Sequence, residues 1–155
     1  MKGIDMIKLT EHFTVEELTR SEIAVRNGID NSCPKELLTN LLFLAGTLEQ
    51  IRNDYYCPLS VSSGYRCPAL NKLIGGAPTS AHVKASAVDF TIKYLKVIDV
   101  CRHIPQIIKD FDQVIYEFGP SGWVHLGLSD NPRRQLLTAI IEDEKTKYLP
   151  GIIEV

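Results

Sequence analysis

At 155 residues the chain has the length of one ordinary domain, enough to bury roughly two-thirds of its unfolded surface without disulfide or metal staples. A 45% hydrophobic, 23% charged composition excludes a disordered chain, and a net charge of −2 with no basic cluster argues against a nucleic-acid partner. No apolar run reaches the roughly 18 residues of a membrane span, and the opening MKGIDMIKLTEHF holds no apolar core of signal-peptide length, so cytoplasmic synthesis without a leader is expected.

Thr14-Val15-Glu16-Glu17 carries Glu three positions after Thr, a capping box that predicts a short helix to about Thr19. After the turn at Asn27-Gly28-Ile29-Asp30-Asn31, Pro34 opens a long helix in which Leu37, Leu41, Leu44, Leu48 and Ile51 recur at spacings of three and four, a core stripe. Residues 59–62 read as a short strand and 68–74 as a short helix closed by Gly75-Gly76. The loop 75–80 then delivers His82. Residues 87–92 (AVDFTI) alternate as a strand with Asp89 on the face opposite Val88 and Phe90, and Asp is depleted in strands unless something needs it. A helix over 97–108 is expected to be disturbed at Pro105.

Residues 111–117 and 123–128 predict two strands joined by the loop Phe118-Gly119-Pro120-Ser121-Gly122. Pairing of odd with odd positions would set Ile115, Glu117, Trp123 and His125 on one face. A further strand is expected over 136–141, and 142–155 reads as a charged, Pro/Gly-bearing surface tail on a single domain whose core spans about residues 9–141. The four cysteines, Cys33, Cys57, Cys67 and Cys101, form no CxxC pair and are expected to be reduced, packed thiols.

His82 and Asp89, seven positions apart at the edge of a Gly/Pro-rich loop, could share one divalent metal, with His125 as the third ligand. Two imidazoles and a carboxylate suit a catalytic zinc because a fourth position stays open for water. Glu117 beside His125 would be the general base of a metal-assisted amide hydrolysis. Arg66 has the planar fork that suits a substrate carboxylate. Ser80 would either hydrogen-bond the substrate or orient the loop. Each has a plainer alternative: loop caps for His82 and Asp89, a satisfied core histidine for His125, a solvated hairpin residue for Glu117, a paired surface charge for Arg66. His12 and His103 are given structural roles only.

SGYRCPALN, GGAPTSAHVKASAVD and FDQVIYEFGPSGWVHLGL resemble, in order, the motifs of the zinc D-alanyl-D-alanine carboxypeptidase family, especially its small single-domain branch in phage and bacterial genomes. EHFTVEELTRSEIA and GIDN are similar to that branch too, so the resemblance covers roughly residues 9–140. The same core occurs in the signalling domain of hedgehog proteins. The resemblance implies an α+β fold, a small antiparallel sheet with helices packed on one side and zinc in the cleft. It implies one zinc per chain on His82, Asp89 and His125, Glu117 as general base, Arg66 on the substrate carboxylate, and Ser80 as the serine of an SxHxxGxAxD element.

The activity it implies is hydrolysis of an amide bond in peptidoglycan stem peptides, as a carboxypeptidase or an endopeptidase. Such a protein would be a monomer acting on cell wall, with no nucleic-acid or membrane partner. A phage lysin freed by host lysis would fit. The alternative is a silent peptidase-like module that binds zinc or a wall fragment, for instance within a phage particle. Three departures stand out. Ala85 replaces the glycine of the SxHxxGxAxD element, seven residues lie between Glu117 and His125 where some relatives have ExxH, and Cys67 follows Arg66 where a small residue is expected, offering a competing soft ligand.

Overall fold

The structure, a computed structural model, describes residues 6–155. The first five residues of the leaderless N-terminal reading lie outside the described ones. Helix α1 (Val15–Thr19) starts where the capping box places it, with the Thr14 hydroxyl accepting from the Glu17 N–H at 3.1 Å. A second short helix, α2 (Glu22–Arg26), follows under a Ser21 cap. From Pro34 a 3₁₀ turn, Lys35–Leu37, runs into α3 (Leu38–Tyr55), which buries Leu41, Leu44, Leu48 and Ile51. Each of these side chains contributes about 1.5–3 kcal/mol by leaving water.

The chain continues through β1 (Leu59–Ser63), α4 (Pro68–Leu73), β2 (Ala87–Ile92) and α5 (Val97–Ile107). Pro105 sits inside α5 without breaking it, for the Ile108 N–H still reaches the Ile104 carbonyl at 2.9 Å. The remaining strands are β3 (Gln113–Glu117), β4 (Trp123–Gly127), β5 (Gln135–Glu142) and β6 (Lys145–Pro150).

The strand order is β1-β2-β4-β3-β5-β6. Every pairing is antiparallel except β3 with β5, so the sheet is mixed and not wholly antiparallel as expected from the resemblance. The cause is the occupancy of edges. β4 already has β2 and β3 beside it, so β5 takes the free edge of β3. A short link from the end of β4 turns the chain back, which makes β5 run parallel to β3.

The expected tail contains a strand. β6 pairs with β5 through a two-residue turn, Asp143-Glu144, both at positive φ of 50° and 62°. That is the backbone of a hairpin turn usually marked by Asn-Gly or Asp-Gly, and here the marker is missing.

The sheet separates two environments. Val88, Phe90, Val114, Tyr116, Val124 and Leu126 point into one core with the stripes of α3 and α5. The alternate residues Asp89, Ile115, Glu117, Trp123 and His125 line a cleft on the opposite face. The long helices thus cover one side as expected, while α2 and α4 contribute Ile23 and Leu70 to the cleft rim. Among the described residues no helix is long and apolar enough to cross a membrane.

Candidate metal centre and cleft

His82 stands on a 3₁₀ turn, Ala81–Lys84, between two local devices. The Ser80 hydroxyl caps the turn by accepting from the His82 N–H at 3.3 Å. At the other end Ala85 adopts φ +54°, so the backbone does require the left-handed region at the glycine position of the SxHxxGxAxD element. That geometry costs about 1–2 kcal/mol for a residue with a Cβ, and it directs the Ala85 N–H back to the His82 carbonyl at 3.2 Å. The same carbonyl accepts from the Arg66 N–H at 3.1 Å, tying the two loops together.

The His82 ring is buried and its Nδ1 lies 2.7 Å from the Gly64 carbonyl oxygen. A carbonyl only accepts, so Nδ1 carries the proton and Nε2 presents a lone pair. Gly64 can be nothing larger, because a Cβ there would come within 2.2 Å of the Leu18 carbonyl oxygen at the end of α1. Asn31 clips the same turn: its Nδ2 donates to the Thr19 and Tyr65 carbonyls at 2.7 and 3.0 Å, and its Oδ1 accepts from the Cys67 N–H at 2.7 Å. Sequence reasoning missed Asn31 and Gly64 as supports, although both lie in the segments GIDN and SGYR that carried the resemblance.

Asp89 and His125 are direct cross-strand partners of β2 and β4. His125 Nδ1 is 2.9 Å from Asp89 Oδ1, and His82 Nε2 is 3.3 Å from the same oxygen. His82, Asp89 and His125 each offer a ligand atom within 4.8 Å of the others. A tetrahedral ion with ligands at about 2.0–2.1 Å separates its donors by about 3.3 Å. The donor set and its spacing therefore fit zinc. Burial pushes the Asp89 carboxyl up, but the two imidazoles beside it, His125 through its hydrogen bond and then His82, outweigh it and hold the group well below the usual carboxylate range. Burial opposes a charge on His125 as well, yet the hydrogen bond and charge of Asp89 raise its pKa.

Glu117 pairs with Trp123 across β3 and β4 and Ile115 with His125, the odd-with-odd register that sets all four on one face. The hairpin thus bridges the seven intervening residues. The Trp123 Nε1–H donates to Glu117 Oε2 at 2.7 Å, leaving Oε1 3.9 Å from His125 Nδ1. Burial, and then the negative charge of Asp89, raise the Glu117 pKa, with His125, Trp123 and Arg66 pulling the other way.

Arg66 also faces the cleft. Burial lowers its pKa while the carboxylates of Asp89 and Glu117 support its charge, and its Nε is a buried donor with no partner among the described residues. Such an orphan is costly unless a ligand acceptor meets it.

Six expected site residues thus meet at one cleft of about 1750 Å³. Ser80 is there in the loop-orienting position. Cys67 instead caps α4, its Sγ accepting from the Leu70 N–H at 3.4 Å, and it lies outside the metal-ligating group. All four cysteines are free thiols. His12 pairs with Glu49 and His103 with Asp54, both at 3.0 Å, away from the cleft.

The Peptidase M15 family model matches residues 11–127, ending with β4. No curated protein matches the chain.

Proposed function

The chain belongs to the Peptidase M15 family of zinc metallopeptidases, and we propose that it hydrolyses an amide bond in the peptide stems of peptidoglycan, as a carboxypeptidase or endopeptidase. The observation that carries this reading is the convergence of His82, Asp89 and His125 within 4.8 Å, with a second, differently held carboxylate, Glu117, beside them.

His82 Nε2, Asp89 and His125 Nδ1 would hold one zinc ion, which when bound supplies a Lewis acid and lowers the pKa of water toward about 7. Glu117 accepts the proton that the attacking water loses as its oxygen adds to the amide carbon. It then returns that proton to the nitrogen as the C–N bond breaks, so one water is consumed and one amine released. Trp123 fixes the carboxylate for both transfers through its hydrogen bond to Oε2. Arg66 receives a substrate carboxylate, which would satisfy its orphaned Nε. Ser80 holds the His82 turn. All these groups come from one chain, so a monomer suffices. Cell wall reached after lysis is the setting this substrate implies.

A silent zinc-binding or wall-binding module is the competing reading, and the retained Glu117 weighs against it. Metal analysis of the purified protein, with a peptidoglycan-digest assay before and after chelation and zinc add-back, tests the proposal. About one zinc per chain with chelator-sensitive release of amino groups or D-alanine is expected. Zinc without turnover would favour the silent module, and no zinc would refute the centre.

A further inference from the structure

Beyond the matched segment, the β5–β6 hairpin extends the sheet on the side of the ligands away from Arg66. Arg66 follows β1 at one edge, Asp89, His125 and Glu117 lie on β2, β4 and β3, and β5 and β6 complete the other edge. The register lines up Glu117, Ala139 and Tyr148 across β3, β5 and β6, all on the cleft face. With strands about 4.8 Å apart, the Glu117 and Tyr148 backbones stand about 10 Å from each other. Only the methyl of Ala139, fully buried, lies in the row between them.

Tyr148 is 53% exposed and takes no part in the core, although β6 is an edge strand where an exposed aromatic is a liability. Leu137 and Thr146 flank it on the cleft face. Burial, and then the charges of Glu117 and Asp89, raise the pKa of its phenol, which stays a hydrogen-bond donor at neutral pH.

Building on the peptidase reading above, we propose that the β5–β6 hairpin is a binding wall for the part of the peptide substrate lying across the metal ligands from Arg66. Tyr148 is its specificity-determining residue, donating its O–H to a backbone carbonyl of that peptide. A substrate whose C-terminal carboxylate sits on Arg66 crosses the metal ligands and runs N-terminally toward Tyr148. Phenols suit this task because an apolar ring covers the chain while the hydroxyl fixes its register.

The test uses the full, zinc-loaded chain and a synthetic stem peptide ending in D-Ala-D-Ala. Calorimetric binding is compared for Glu117→Gln and for the same variant carrying Tyr148→Phe or Tyr148→Ala, so that no turnover is needed. Tyr148→Phe should weaken binding about two- to tenfold and Tyr148→Ala further, with zinc stoichiometry unchanged. The loss should vanish with the bare D-Ala-D-Ala dipeptide, which is too short to reach the hairpin. Equal affinity across the three proteins, or the same loss with the dipeptide, overturns the proposal. Wild-type protein that binds this stem peptide but never hydrolyses it refutes the carboxypeptidase reading instead, and the binding comparison still decides Tyr148.

Discussion

Glu117→Gln isolates proton transfer from everything else the carboxylate does. Gln has the same shape and keeps an oxygen to accept from Trp123 Nε1, now 2.7 Å from Oε2, so the side chain should stay in place. It cannot accept the water's proton. General-base assistance accounts for about 10²–10⁴ in rate, so kcat should fall by that factor, equivalent to about 2.7–5.5 kcal/mol of barrier. Zinc content should stay at one per chain, because the three ligands are untouched. Glu117→Ala adds a second effect, leaving the part-buried indole N–H without its acceptor at a cost of about 1–3 kcal/mol in stability. Initial rates of amino-group release, with zinc measured on the same samples, provide the assay. A zinc-loaded Glu117→Gln protein keeping more than a third of wild-type kcat would assign the proton to another group. Loss of zinc from that variant would make Glu117 a ligand and overturn the division of labour between base and ligands.

His82→Ala removes one of three ligands and should abolish both zinc retention and hydrolysis while the far-UV spectrum is preserved, since the helical core lies on the other face; full occupancy would refute the assigned centre. Arg66→Ala should raise KM about 10- to 100-fold for peptides with a free C-terminal carboxylate, and an equal effect on amidated peptides would remove the anchor role. Ala85→Gly should relieve left-handed strain of about 1–2 kcal/mol against a chain-entropy loss of about 0.4–1 kcal/mol; a modest gain in denaturant midpoint is expected, and a clear loss would show that the buried methyl matters more. The Arg133 guanidinium bonds Asp112 through Nε and Nη2 at 2.9 and 2.7 Å and lowers its pKa. The pair therefore adds stability at pH values above the ordinary Asp pKa of about 3.9, and loses it as pH falls through the lower folded value. Asp112→Asn should flatten that acid limb of the Tm profile, and an unchanged slope would show the pair to be silent.

Elements with a period were legible in the sequence. The leucine stripe of α3 carries its own burial pattern, β2 was read from its alternation, and the two strands of the β3–β4 hairpin from their apolar runs and loop, with odd-with-odd pairing a condition that the register meets. That register placed Glu117, Trp123 and His125 together. What escaped lacks a local signal. α2 is only five residues long, too short for a helical period to show. The parallel β3–β5 contact is decided by which sheet edge remains free, a property of the assembled sheet. β6 was hidden because its turn sets Asp143 and Glu144 at positive φ without a glycine. Asn31 supports the site from 36 residues before Cys67, a distance over which no pattern connects them. Ala85 shows the reverse case, where the departure posed the right question and the backbone angle answered it.

Strands β2, β3 and β4 carry fold and chemistry on alternate residues, Val88 and Phe90 inward, Asp89 outward. Point substitutions therefore sort cleanly into those that empty the cleft and those that loosen the core. Insertions obey a different genetics. One extra codon within β2 rotates every later residue of the strand to the other face, driving a carboxylate into hydrocarbon and valine into the cleft at one stroke. Drift in this gene can thus erode stability and activity independently by substitution, whereas length changes inside these three strands are barred and must collect in the loops.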